Sequence, residues 1–200
     1  MAIKNIVFDF GGVLVDWNPR HLYKSHFHDT DEMEYFLKNI CTEEWNIEQD
    51  RGRSLAEATL ELQKKFPEHS DSIALFYGQW EVMLKDEIPG TVALLHQLKK
   101  KFALYGLTNW SAETIDIAYR RFTFFNAFEG IVVSGTEKLI KPDKRIFQLL
   151  LDRYLIKAEE SVFIDDNRNN ILAARELGFT AVHFLNPEQL EADLAAILTL

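Results

Sequence analysis

Five short apolar runs punctuate this chain, and most give way to stretches in which apolar residues recur at helical spacing. The runs are Lys4–Asp9, Phe102–Thr108, Gly130–Ser134, Ser161–Asp165 and Ala181–Leu185. Their hydrophobicity is continuous rather than alternating, which predicts strands buried on both faces, as in a parallel sheet. Helices are expected near Ser111–Arg121, Asp143–Tyr154, Asn167–Leu177 and Pro187–Leu198, the last announced by Asn186 as cap and Pro187 in its first turn. Strands alternating with helices predict an α/β, doubly wound, Rossmann-like sheet.

One region breaks the alternation. From about Asn18 to Lys85 no strand pattern appears, and EMEYFLKNI, LAEATLELQKKF and SIALFYGQWEVML read as amphipathic helices. A helical insertion at this point would stand above the carboxyl ends of the strands, where open α/β sheets bind ligands. Residues 17–86 are therefore expected as a small helical cap or lid, on a core formed by residues 1–16 and 87–200.

Composition narrows the partners. The chain of 200 residues is 47% hydrophobic and 26% charged, ordinary for a globular protein. A formal net charge of −9 argues against a nucleic-acid surface, which needs a basic field. Cys41 is the only cysteine, so no internal disulfide is expected and a reducing, cytoplasmic setting is. No signal-peptide pattern opens the chain and no apolar run reaches transmembrane length, so no membrane association is expected.

The strands end in chemistry. The first closes on Asp9, the second on Thr108-Asn109, and the fourth on Asp165-Asp166, while Lys141 stands before Pro142 in EKLIKPDKRIF. Parallel strands would bring these groups to one edge. Three carboxylates in a low-dielectric crevice repel one another unless a divalent cation neutralises them, and hard oxygen donors suit Mg²⁺ better than Zn²⁺. The cation, Lys141, Thr108, Asn109 and loop amides would then form a receptor for a phosphoryl group, with Asp9 free to attack phosphorus. Gly11 and Gly12, directly after Phe10, would let the backbone approach that group.

This constellation resembles the haloacid dehalogenase (HAD) superfamily over nearly the whole chain. The resemblance implies a five-stranded parallel sheet in the order 5-4-1-2-3 with a helical cap inserted after the first motif. Asp9 matches the nucleophile, Thr108 the hydroxyl residue of the second motif, and Asn109 its neighbour. Lys141 matches the charge-balancing lysine, Asp165 and Asp166 match the acidic pair that holds Mg²⁺, and Asn170 a frequent later amide. Metal ligation is thereby implied for Asp9, Asp165, Asp166 and the Gly11 carbonyl; substrate contacts for Gly11, Gly12, Thr108, Asn109 and Lys141; catalysis for Asp9, Lys141 and Thr108.

Two departures stand out. Family phosphatases carry an aspartate two residues after the nucleophile as general acid and base, and here that residue is Gly11. The Gly and basic residue usual before the third motif are Lys138 and Ile140, so the local turn is expected to differ. The FDxGxV first motif resembles a branch that includes sugar-1-phosphate phosphatases. A missing general acid matters least for a good leaving group, so sugar-1-phosphates are expected to be preferred over alkyl phosphates. The expected activity is that of a Mg²⁺-dependent phosphatase on a small phosphorylated metabolite, working as a monomer or weak homodimer. The alternatives are a 2-haloacid dehalogenase, a catalytically weak binding protein and, against the absence of a general acid, a phosphomutase. Asp16 is a substitute proton source, though its position before Asn18-Pro19 fits a turn. Trp17, Trp45, Trp80 and Tyr23 are candidates to stack on a sugar ring, Arg20 and Arg51 to contact hydroxyls, and Trp110 to line the crevice.

Overall fold

The computed structural model describes residues 2–198. Strand β1 (Asn5–Phe8) leads into a short strand β2 (Val15–Trp17). Six helices follow: α1 (Arg20–Tyr23), α2 (Thr30–Asn39), α3 (Glu43–Asp50), α4 (Leu55–Lys65), α5 (Ser70–Gly78) and α6 (Trp80–Met83). Strand β3 (Leu84–Glu87) then pairs antiparallel with β2. The chain continues through α7 (Pro89–Leu98), β4 (Ala103–Thr108), α8 (Ile115–Arg121), β5 (Gly130–Val133) and α9 (Ser134–Glu137). It ends in α10 (Lys144–Tyr154), β6 (Ser161–Asp165), α11 (Arg168–Glu176), β7 (Thr180–His183) and α12 (Pro187–Leu198).

The fold is α/β and doubly wound. Five parallel strands run in the order β5-β4-β1-β6-β7, the expected arrangement read from the opposite edge. Each face of the sheet has its own core, because successive side chains of a strand point to opposite faces. Ile6 and Phe8 of β1 join one apolar cluster, and Val7 between them joins the other with Tyr105, Leu107 and Phe163. The first cluster runs on without a break into the helical segment through Val13, Leu14, Leu22 and Met83, ending in packed Tyr23, Phe36 and Phe76 rings. Side-chain oxygens start several helices where sequence chemistry favours them: Asp29, Thr42, Ser54, Asp143 and Asn167 each accept a backbone N–H of the first turn.

Three features differ from the expectations. The β2–β3 ribbon brackets the helical segment; β3 reads LKDE, three of its four residues exposed, and so carries no apolar signal. Helix α3, EEWNIEQD, was not expected because only Trp45 and Ile47 in it are apolar. Helix α7 lies on the first core cluster through Val92, Leu95 and Leu98. At Lys138, where the resemblance sets a glycine, the backbone is left-handed with φ 56°, a conformation glycine adopts most freely.

Candidate active site

The strand register explains how the acidic groups meet. Phe8 lies opposite Gly106 of β4 and Ile164 of β6, so the next residues, Asp9, Leu107 and Asp165, stand level across the sheet. The order of connection reverses about β1, and the crevice outside such a point is where doubly wound sheets bind ligands. Carboxylate oxygens of Asp9, Asp165 and Asp166 all lie within 4.8 Å of one another.

Lys141 holds the first two together. Its Nζ is 3.0 Å from Asp9 Oδ1 and 2.7 Å from Asp165 Oδ2, and it also donates to the Leu107 carbonyl at 2.8 Å. Burial opposes the Lys141 charge, but the Asp165 and Asp9 carboxylates outweigh it and hold the ammonium above the usual lysine range. Asn109 fixes the lysine backbone from both sides: its amide donates to the Lys141 carbonyl at 3.0 Å and accepts from the Lys141 N–H at 2.8 Å. Asp165 is fully enclosed, also accepting from the Asn167 N–H and the Asn170 amide.

Burial raises the Asp9 carboxyl to about 7; Lys141 pulls it down, while Asp165 and Asp166 push it up. Burial likewise raises Asp166. One lysine against the buried Asp9 and Asp165 and the exposed Asp166 leaves an excess of negative charge at the sheet edge, and all the donors are hard oxygens. The set fits a divalent cation such as Mg²⁺, with Asp9, Asp165, Asp166 and the Gly11 carbonyl as the groups that would hold it. Thr108 Oγ1 and Asn170 Oδ1 are buried without a hydrogen-bond partner, unusual for enclosed polar atoms and open to a bound ligand.

The two glycines differ. Gly12 has φ 72°, and a Cβ there would sit 2.5 Å from Asp166 Oδ2, so this position clears the acidic cluster. Gly11 has an ordinary backbone, and a Cβ there would have no protein atom within 4 Å, so its place beside the crevice leaves open space.

A crevice of about 460 Å³ opens over Asp9, Gly11, Lys141 and Asp166, walled on the far side by α3. A side cavity of about 100 Å³ branches from it, lined by Trp17, Tyr77, Trp80, Trp110 and Thr114. Gly11, Trp17, Asn46, Asp50 and Asn109 line both. Trp80 and Trp110 pack against each other at 5.6 Å, and the Trp17 indole N–H is buried without a partner. Of the other candidates, Trp45 packs on Phe76 and Tyr77, and the Tyr23 hydroxyl donates to the Ser72 carbonyl inside the helical segment. Arg20 reaches the crevice rim but is paired with Glu34, and Arg51 pairs with Glu48. Asp16 lies outside the lining and pairs with His21 at 3.0 Å.

Asp50 is the residue that sequence reading missed. Burial raises its carboxyl to about 7, the Asp9 charge adds to this, and an N–H bond from Ser111 opposes it. Its carbonyl accepts from Ser134 Oγ at 2.6 Å, a contact spanning 84 residues that no local pattern announces.

Comparison with known proteins adds to this picture. A family model described as haloacid dehalogenase-like hydrolase matches residues 3–178. A sesquiterpene phosphatase of Aspergillus oryzae is 28% identical over 184 residues, covering 91% of this chain and 90% of that one. A D-ribitol-5-phosphate phosphatase of Bacteroides thetaiotaomicron is 24% identical over 211 residues, covering 98% of each. Among solved structures, a HAD family enzyme of the same bacterium, in complex with magnesium and inorganic phosphate, superposes with a TM-score of 0.68 at 24% identity, covering 92% of this chain and 96% of that one.

Proposed function

The chain belongs to the haloacid dehalogenase-like hydrolase family, and from that membership we propose that it is a Mg²⁺-dependent phosphatase of a small phosphorylated metabolite, sugar-1-phosphate-like. In this reading residues 17–86 are the cap and residues 1–16 and 87–200 the catalytic core. The protein works in the cytoplasm as a monomer or weak homodimer. Among the described residues no helix is long and apolar enough to cross a membrane.

The observation that carries the reading is Lys141 held between Asp9 and Asp165. The lysine favours the ionised form of Asp9 at the sheet edge and offers positive charge to an arriving phosphoryl group. Asp9 then attacks phosphorus, giving an aspartyl phosphate that water cleaves. Thr108 and Asn109, with the loop amides after Asp9, position the phosphoryl oxygens, and Gly12 keeps the backbone clear of them. Bound Mg²⁺ supplies charge neutralisation among the carboxylates and toward the phosphoryl oxygens. The acidic cluster weighs against a metal-free 2-haloacid dehalogenase, since two buried carboxylates and an exposed third around one lysine are costly without a cation.

The side cavity supports a ring-bearing leaving group. Aromatic walls from Trp17, Trp80 and Trp110 offer stacking faces, while Asn46 and the free Trp17 N–H offer hydrogen bonds. The side cavity, about 100 Å³, opens into the 460 Å³ crevice, and its mix of polar and aromatic walls suits a hydroxylated ring. The aromatic walls and the sesquiterpene phosphatase relative nonetheless make terpenyl phosphates the second reading. The test is a panel of sugar-1-phosphates, polyol phosphates, glycerol phosphate, terpenyl phosphates and a chloro-acid, with Mg²⁺ and with chelator. Mg²⁺-dependent release of phosphate, fastest from sugar-1-phosphates and abolished by Asp9→Asn, is expected. Equal turnover of glycerol phosphate refutes the substrate preference; turnover by Asp9→Asn refutes the covalent route.

A further inference from the structure

The proton that the departing oxygen needs has no carrier at position 11, and the space there is open. A substitute must face the crevice, adjoin the leaving-group cavity and be free to exchange a proton. Asp165 is saturated by Lys141, Asn167 and Asn170. Asp16 is paired with His21 outside the crevice. The Tyr77 hydroxyl is engaged by Asn46 and Gln49. Of the residues lining both the crevice and the side cavity, Asp50 alone is titratable. Among the described residues it has no salt-bridge partner; the Ser111 N–H adjoins its carboxyl, and the Ser134 hydroxyl holds its backbone carbonyl at 2.6 Å.

We propose that Asp50, delivered by the C-terminal end of α3 rather than by the loop after β1, is the general acid and base of the reaction. This rests on the phosphatase reading above. In the first step Asp9 attacks phosphorus, the bond from phosphorus to the leaving oxygen breaks with its electron pair on that oxygen, and the Asp50 carboxyl gives it a proton. In the second step the Asp50 carboxylate takes a proton from water as the water oxygen attacks phosphorus. The bond to Asp9 breaks, its electron pair returns to the Asp9 carboxylate, and phosphate leaves with Asp50 protonated again. Burial keeps a fraction of Asp50 protonated near neutrality, where an ordinary aspartate would be almost wholly ionised. The groups that face it are Asp9 from β1 and Tyr77 from α5.

The test is Asp50→Asn, which keeps the size and the acceptor for Ser111 N–H, read against phosphates of graded leaving-group basicity. Loss of proton transfer should lower kcat/KM by about 10²- to 10⁴-fold on sugar and alkyl phosphates, but by no more than about tenfold on an acyl phosphate, whose leaving group needs no proton. With that acyl phosphate the variant should accumulate phospho-enzyme, because water is no longer activated. An unchanged rate on alkyl phosphates, or an equal loss on both classes, overturns the proposal. Should the variant not fold, the unmodified protein decides: a shallow dependence on leaving-group basicity supports an internal acid and a steep one overturns it. Failure of the unmodified protein to hydrolyse any phosphate ester with Mg²⁺ brings down the phosphatase reading and this inference together. Turnover with an indifferent Asp50→Asn removes only the inference.

Discussion

Adjacent glycines at positions 11 and 12 answer to different physics. A side chain at 12 has to adopt a left-handed backbone and meets Asp166 Oδ2 at 2.5 Å. Gly12→Ala should therefore cost about 1–2 kcal/mol from the backbone alone and displace Asp166. Weaker Mg²⁺ binding by calorimetry is expected along with lower stability, and an unchanged Mg²⁺ affinity would show that Asp166 is not held by this clearance. Position 11 has neither constraint, so Gly11→Asp should fold normally. In the Asp50→Asn background it should recover at least about tenfold in turnover of alkyl phosphates, since a new carboxyl then stands where a general acid can work. In the unmodified background it should gain little, because the proton already has a route. A large gain there would mean that Asp50 carries none of it.

Helix α3 is short, weakly amphipathic and nevertheless decisive, because its last residue is Asp50. Ser134, which opens α9 directly after β5, donates to the Asp50 carbonyl at 2.6 Å and accepts from the Trp110 N–H at 2.9 Å, tying the helical segment to the ends of two strands. Ser134→Ala leaves both partners without their bond in a buried place, a cost of about 1–3 kcal/mol, or a fall of about 2–12 °C in Tm. Misplacing Asp50 should lower kcat while Mg²⁺ affinity stays constant; equal losses in both would place Ser134 in the metal site instead. The strands and their chemical ends were legible in the sequence because buried parallel strands are apolar runs and Asp9, Thr108 and Asp165 adjoin them in the chain. Helices α8 and α10 end at the expected Arg121 and Tyr154 but begin four residues and one residue later than expected, and α11 is one residue shorter at each end, as caps and first turns share one vocabulary of residues. The β2–β3 ribbon, α3 and α7 were not anticipated. LKDE and EEWNIEQD have too few apolar residues to show a period. Asp50 could not be singled out, because the groups that meet it, Asp9, Ser111 and Ser134, lie far from it along the chain.

Stability of the whole molecule should report the same electrostatics. Asp9 and Asp50 both have carboxyls raised from 3.8 to about 7 by burial. A raised folded-state pKa means that the native state binds protons more tightly than the unfolded chain. Its contribution is full below about pH 4, shrinks as pH rises through the shifted value of about 7 and is then gone. Without metal, Tm should thus fall between pH 5 and pH 8, by an amount worth a few kcal/mol for two such groups, a sizeable part of a typical 5–15 kcal/mol. Mg²⁺ binds the ionised carboxylates, so excess Mg²⁺ should raise Tm more at pH 8 than at pH 5. A hundredfold excess over Kd is worth about 2.7 kcal/mol, or about 5–11 °C for a chain of this size. The two aspartates separate in the variants. Asp50→Asn should reduce the metal-free pH dependence and leave most of the Mg²⁺ shift in place, because Asp50 is not among the three carboxylates that converge. Asp166→Ala should shrink the Mg²⁺ shift and leave most of the pH dependence. A Mg²⁺ shift of the same size at both pH values would mean that the cation binds elsewhere than at Asp9.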